Sequence, residues 1–82
     1  MEKTIASPAQ AQLCRLLKQV RRGAGLNQVD LAQRLGEPQS FVSRYETGQQ
    51  RLDLLELRQV CRALGLSLTE FVQRLERQLD DA

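Results

Sequence analysis

NQVDLAQRLGEPQSFVSRYETG, residues 27–48, reads as two short helices joined by a tight turn. In the first, Gln28 to Leu35, the residues Leu31, Ala32 and Leu35 fall at i, i+1 and i+4 and give the helix one apolar face. Asn27 supplies an N-cap, and Asp30 puts a negative charge in the first turn, where the helix dipole favours it. Gly36 ends the helix because it reaches the left-handed conformation cheaply. Pro38 suits the start of a second helix and not the interior of the first.

The second helix is expected over Pro38 to Thr47. Laid out at about 100° per residue, it places Phe41, Val42 and Tyr45 on one arc and Gln39, Ser40, Ser43 and Arg44 on the other, with Glu46 at the border. The apolar arc must pack inward. What remains is a face of amide, hydroxyl and guanidinium groups with no carboxylate on it. An amide suits the adenine edge, a guanidinium fork suits guanine, and hydroxyls suit a base or a phosphate, so these four residues are candidate base readers for a DNA major groove. The plainer alternative is an ordinary amphipathic helix with a solvated polar face.

As a set, Gln28, Leu31, Ala32, Gly36, Val42, Ser43, Glu46 and Gly48 resemble the Cro and phage-repressor (Xre-like) helix-turn-helix family. With its flanking helices the resemblance runs from about Leu13 to Leu75, most of the chain. It implies an all-α, compact, lambda-repressor-like domain of five helices, with helices 2 and 3 forming the helix-turn-helix and helix 3 as the reader. It also implies a transcriptional regulator that acts on a double-stranded DNA operator as a homodimer. On the same grounds Gln28 is expected at a phosphate, with Asn27 and Arg51 as further phosphate candidates. Arg21, late in helix 1, is expected to pair with Glu46. Phe41 departs from the small or polar residue that some relatives carry there; packing inward and touching a thymine methyl are both open to it, and periodicity favours inward.

Around this centre the helix signals are clear. Ser7, Pro8 and Gln10 mark a start, and Leu13, Leu16, Leu17 and Val20 give helix 1 its core stripe as far as about Arg22. Asp53 with Glu56 caps helix 4, whose Leu54, Leu55, Leu57, Val60, Cys61 and Leu64 exceed what one core-facing stripe requires. Ser67 with Glu70 forms a capping box for helix 5, and Leu66 and Phe71 stand at hydrophobic-staple positions. Leu68, Val72, Leu75 and Leu79 on helix 5 are candidates for a two-fold interface, with closure of the core as the alternative. Residues 1–6 are expected to be a loose tail, and residues 7–82 a single domain.

Composition narrows the function classes. The net charge of +2 is small, but it is unevenly placed. Residues 1–51 hold eight Lys or Arg against four acids, and residues 52–82 hold four against six. The basic half contains the helix-turn-helix, as expected if one end meets phosphates. The chain has no histidine, and Cys14 and Cys61 sit apart in helical patterns. They read as buried or half-buried, reduced thiols, with no metal site, no cofactor and no catalytic constellation expected. No apolar run approaches the roughly 20 residues of a membrane span, and residues 1–10 lack a signal-peptide core, so a cytoplasmic protein is expected. The competing class is a protein-interaction module, such as an antitoxin, whose main partner is another protein and whose DNA binding is secondary.

Overall fold

The computed structural model describes residues 7–81, and the expected tail at residues 1–6 lies outside them. Five helices follow one another: α1 (Pro8–Gly23), α2 (Gln28–Leu35), α3 (Gln39–Glu46), α4 (Leu54–Ala63) and α5 (Leu68–Asp81), with no strand among the described residues. Among the described residues no helix is long and apolar enough to cross a membrane.

Local chemistry explains most of the boundaries. Ser7 Oγ accepts the Gln10 N–H at the head of α1, while α2 and α4 open with reciprocal capping boxes, Asn27 with Asp30 and Asp53 with Glu56. At α5 the Ser67 and Glu70 side chains each accept the other's backbone N–H, at 3.0 and 2.9 Å. Each cap contributes on the order of 1 kcal/mol. Gly36 sits at φ 68° and ends α2 with two backbone bonds, Gly36 N–H to Gln33 O and Glu37 N–H to Ala32 O. A non-glycine residue there would carry the left-handed strain that glycine avoids.

One expected boundary is corrected at α3. The helix spans Gln39–Glu46, so Pro38 is its N-cap and Thr47 its C-cap, and neither lies inside it. The reason is in the backbone: Pro38 takes the extended conformation at ψ 155°, and helical dihedrals begin one residue later.

The core is assembled on α3. Phe41, Val42 and Tyr45 pack with Leu16 and Leu17 of α1, Leu31 and Ala32 of α2, Val60, Cys61 and Leu64 around α4, and Phe71 of α5. Phe41 and Tyr45 meet edge-on at 5.5 Å, and Phe41 is buried, the inward of the two positions open to it and the one periodicity favours. Burying each such side chain contributes about 1.5–3 kcal/mol, and this fixes which way α3 rolls. α3 packs against α1 and α2, whereas α5 packs against α1 and α4. The helix-turn-helix therefore occupies one side of the domain and α5 another. Cys14 and Cys61 are free and buried, and burial raises the Cys61 thiol from its ordinary value of 9.0 to about 11.

Candidate nucleic-acid interface

Because Phe41, Val42 and Tyr45 anchor α3, its opposite face turns outward. Gln39, Ser40 and Arg44 are exposed and Ser43 is half-buried. All four expected reading residues thus lie on one side of an eight-residue helix, and none is sealed beneath the rest of the monomer. Pro38 offers no side-chain acceptor to the start of the helix. Phe41 N–H donates to Pro38 O at 2.9 Å, which leaves the N–H groups of Gln39 and Ser40 uncommitted among the described residues at the positive end of the helix dipole.

Behind this face runs a chain of side-chain hydrogen bonds. Arg21 Nε donates to Glu46 Oε2 at 2.7 Å and Arg21 Nη2 to Glu46 Oε1 at 3.0 Å, a bidentate pair between α1 and the end of α3. Arg21 is 6% exposed and Glu46 9%. The third edge of the guanidinium donates from Nη1 to Leu26 O at 2.9 Å. The bond to Glu46 raises the Arg21 pKa further above its ordinary value, so the charge is permanent.

Glu46 Oε1 also accepts from Gln28 Nε2 at 3.1 Å, and Gln28 Oε1 in turn accepts from Gln39 Nε2 at 2.7 Å. The buried pair is thereby tied, through the first residue of α2, to the first residue of α3. Gln39 keeps one N–H and its Oε1 uncommitted among the described residues, the donor and acceptor that an adenine edge asks for. Gln28 keeps one N–H as well. Gln28 thus bridges Glu46 and Gln39 and keeps a single donor free among the described residues.

The remaining candidates are placed less tightly. Asn27 is exposed, but its Oδ1 is committed to the Asp30 N–H at 2.7 Å, so only its amide nitrogen is left for a phosphate. Arg51 is exposed in the connector between α3 and α4. Arg44 Nε donates to Gln50 Oε1 of the same connector at 3.0 Å. Sequence reasoning missed three of these bonds, Gln28 to Glu46, Gln39 to Gln28 and Arg44 to Gln50, because spacing alone does not say which of several amides an amide will choose.

The helix 5 candidates divide. Leu68 and Leu75 pack against the core, Leu79 is half-buried, and Val72 is 37% exposed. The core-closing role expected as the alternative accounts for much of the stripe. Among the described residues the most exposed large apolar side chains are Leu55 at 71% and Leu54 at 65%, in the first turn of α4. Among the described residues no group of His, Cys, Asp and Glu is arranged to hold a metal ion.

Comparison with known proteins agrees with this architecture. A helix-turn-helix family model matches residues 17–71. An XRE-family like protein from Pseudomonas syringae pv. tomato str. DC3000 is 40% identical over 92% of each chain, with a TM-score of 0.82. The restriction-modification controller protein C.Esp1396I, solved as a tetramer in complex with its natural 35 base-pair operator, is 22% identical over 87% of this chain and 93% of its own, with a TM-score of 0.79. The clp gene regulator ClgR from Corynebacterium glutamicum is 22% identical over 90% of this chain and 79% of its own, with a TM-score of 0.78. No curated protein matches the chain. The extent of the family match and the identity to the Pseudomonas protein establish that the chain belongs to the XRE-type helix-turn-helix family.

Proposed function

We propose that the protein is a DNA-binding transcription regulator that inserts α3 into the major groove of a double-stranded operator, with Gln39, Ser40, Ser43 and Arg44 toward the base edges. The observation that carries this is the sidedness of α3: three buried apolar residues on one arc and four polar, carboxylate-free ones on the other. In this reading Gln39 arrives already oriented by Gln28, so less rotamer freedom is lost on contact. Gln28 and the open amides at the heads of α2 and α3 take phosphates, with Arg51 and Asn27 at the flanks.

The regulator works as a two-fold pair. One copy, no more than 31 Å in its longest extent, covers one half-site, and reading helices on successive turns lie about 34 Å apart. C.Esp1396I, of the same fold, has been seen as an operator-bound tetramer. For the contact between copies we propose Leu54 and Leu55 of α4 rather than the α5 stripe, in which Leu68 and Leu75 pack against their own core. These two leucines follow the end of α3 by one short connector, which keeps the contact beside the DNA.

Titration of a generic duplex at several salt concentrations tests the DNA reading. Affinity should fall steeply and log-linearly as salt rises, because counterions leave the phosphates, and Arg51→Ala should reduce the slope by about one unit. Absence of binding at low salt would leave the protein-interaction module as the better reading.

A further inference from the structure

We infer that Gln50, which none of the helices contains, sets the specificity of this protein by holding Arg44. The inference rests on the reading that Arg44 faces a base. After Glu46 the chain turns back on itself at Gly48, whose φ is 84°. The turn brings the N–H groups of Gln49 and Gln50 onto the carbonyl of Arg44, at 2.9 and 3.2 Å. From there the Gln50 side chain reaches along the Arg44 side chain and accepts its Nε–H at 3.0 Å. Gln50 therefore meets Arg44 at both ends, at the backbone carbonyl and at the root of the guanidinium.

This second contact has a chemical consequence. A guanidinium offers five N–H donors on a rigid plane. With Nε given to Gln50, the four on Nη1 and Nη2 remain, and the edge they form is the end-on fork that fits the two acceptors of guanine, O6 and N7. The sideways fork, Nε with Nη2, is already used. Gln50 thus selects one of two presentations and restrains a side chain that would otherwise lose much rotamer freedom on binding. Gln50 is half-buried while Arg44 is exposed, so the more sheltered residue positions the freer one. Gln50 touches no base in this arrangement and acts only through Arg44.

Two measurements test this. In the free protein, the Arg44 Nε–H should give a resolved, slowly exchanging nuclear magnetic resonance signal that collapses in Gln50→Ala; a signal indifferent to that substitution would overturn the clamp without reference to DNA. Competition between duplexes with and without the guanine should show Gln50→Ala losing about 3- to 10-fold of the preference, on the scale of one immobilised side chain. The thermal midpoint should be unchanged. In an Arg44→Ala background, Gln50→Ala should change the preference no further. Gln50→Glu keeps an acceptor in place, so it should retain the preference while weakening every sequence, because it adds a negative charge beside the phosphates. Equal losses from Gln50→Ala in both backgrounds would mean that Gln50 contacts DNA on its own, and an intact preference in Gln50→Ala would mean it has no role; either overturns the inference. Failure of the unsubstituted protein to bind any duplex would overturn the underlying reading, and this inference with it, while leaving the resonance result to stand as a fact of the fold.

Discussion

Arg21 keeps its charge where only 6% of its surface meets water, and it can do so because Glu46 and the Leu26 carbonyl satisfy three of its donors. Removing half of a buried pair strands the other half, at about 3–5 kcal/mol, whereas a surface pair contributes roughly 0–1 kcal/mol. Glu46→Gln retains an acceptor but not the charge, so a loss near the lower bound, about 3 kcal/mol, is expected. At this chain length that lowers the thermal midpoint by more than about 10 °C, which calorimetry can check; a shift of a degree or two would show that the pair behaves as a solvated one. The resemblance pointed to Arg21 and Glu46 as partners, but nothing in the sequence foretold that Glu46 would also hold Gln28. Gln28 and Glu46 are separated by 18 positions, and a glutamine has no preferred distant partner until the backbone brings one near. The same is true of Tyr45, whose periodicity made it a core residue but whose hydroxyl is buried without a hydrogen-bond partner among the described residues.

At the scale of the elements, the sequence was most informative where a side chain closes a hydrogen bond onto its own neighbourhood. Asn27 with Asp30, Asp53 with Glu56 and Ser67 with Glu70 act over three residues, so their caps were legible, and α2 begins and ends where expected. α3 is shorter than expected by one residue at each end; at its head, proline tolerates both the cap and the first helical position, and local sequence does not choose between them. The surplus of leucine on α4 was legible too, but not its direction, which depends on where α2 and α5 pack. The structure leaves Leu54 and Leu55 outward. Leu55→Glu should leave the thermal midpoint within about the ±0.5 kcal/mol range of surface changes. Sedimentation on a two-site duplex should nevertheless show occupancy by single copies where the unsubstituted protein binds as a pair. Paired binding that survives Leu55→Glu but is lost in Val72→Glu would move the contact to α5.

For the whole molecule, the uneven charge and the family membership point the same way. The basic half of the chain carries α2, α3 and the network behind them, and the acidic half carries α4 and α5, which build the opposite wall of the core. Fold class was legible because all five helices announce themselves by periodicity and punctuation. The side-chain network was not, since the bonds of Gln28 to Gln39 and of Gln50 to Arg44 depend on which amides the folded backbone brings together. The most direct test of the central claim, that the outward arc of α3 reads base edges, is selection of bound duplexes from a random pool by the unsubstituted protein and by Arg44→Ala. A palindromic site is expected for the former, and for the latter the loss of preference at one symmetric guanine, worth about 1–3 kcal/mol. A pool that emerges without sequence preference, or an identical site for both proteins, would contradict it.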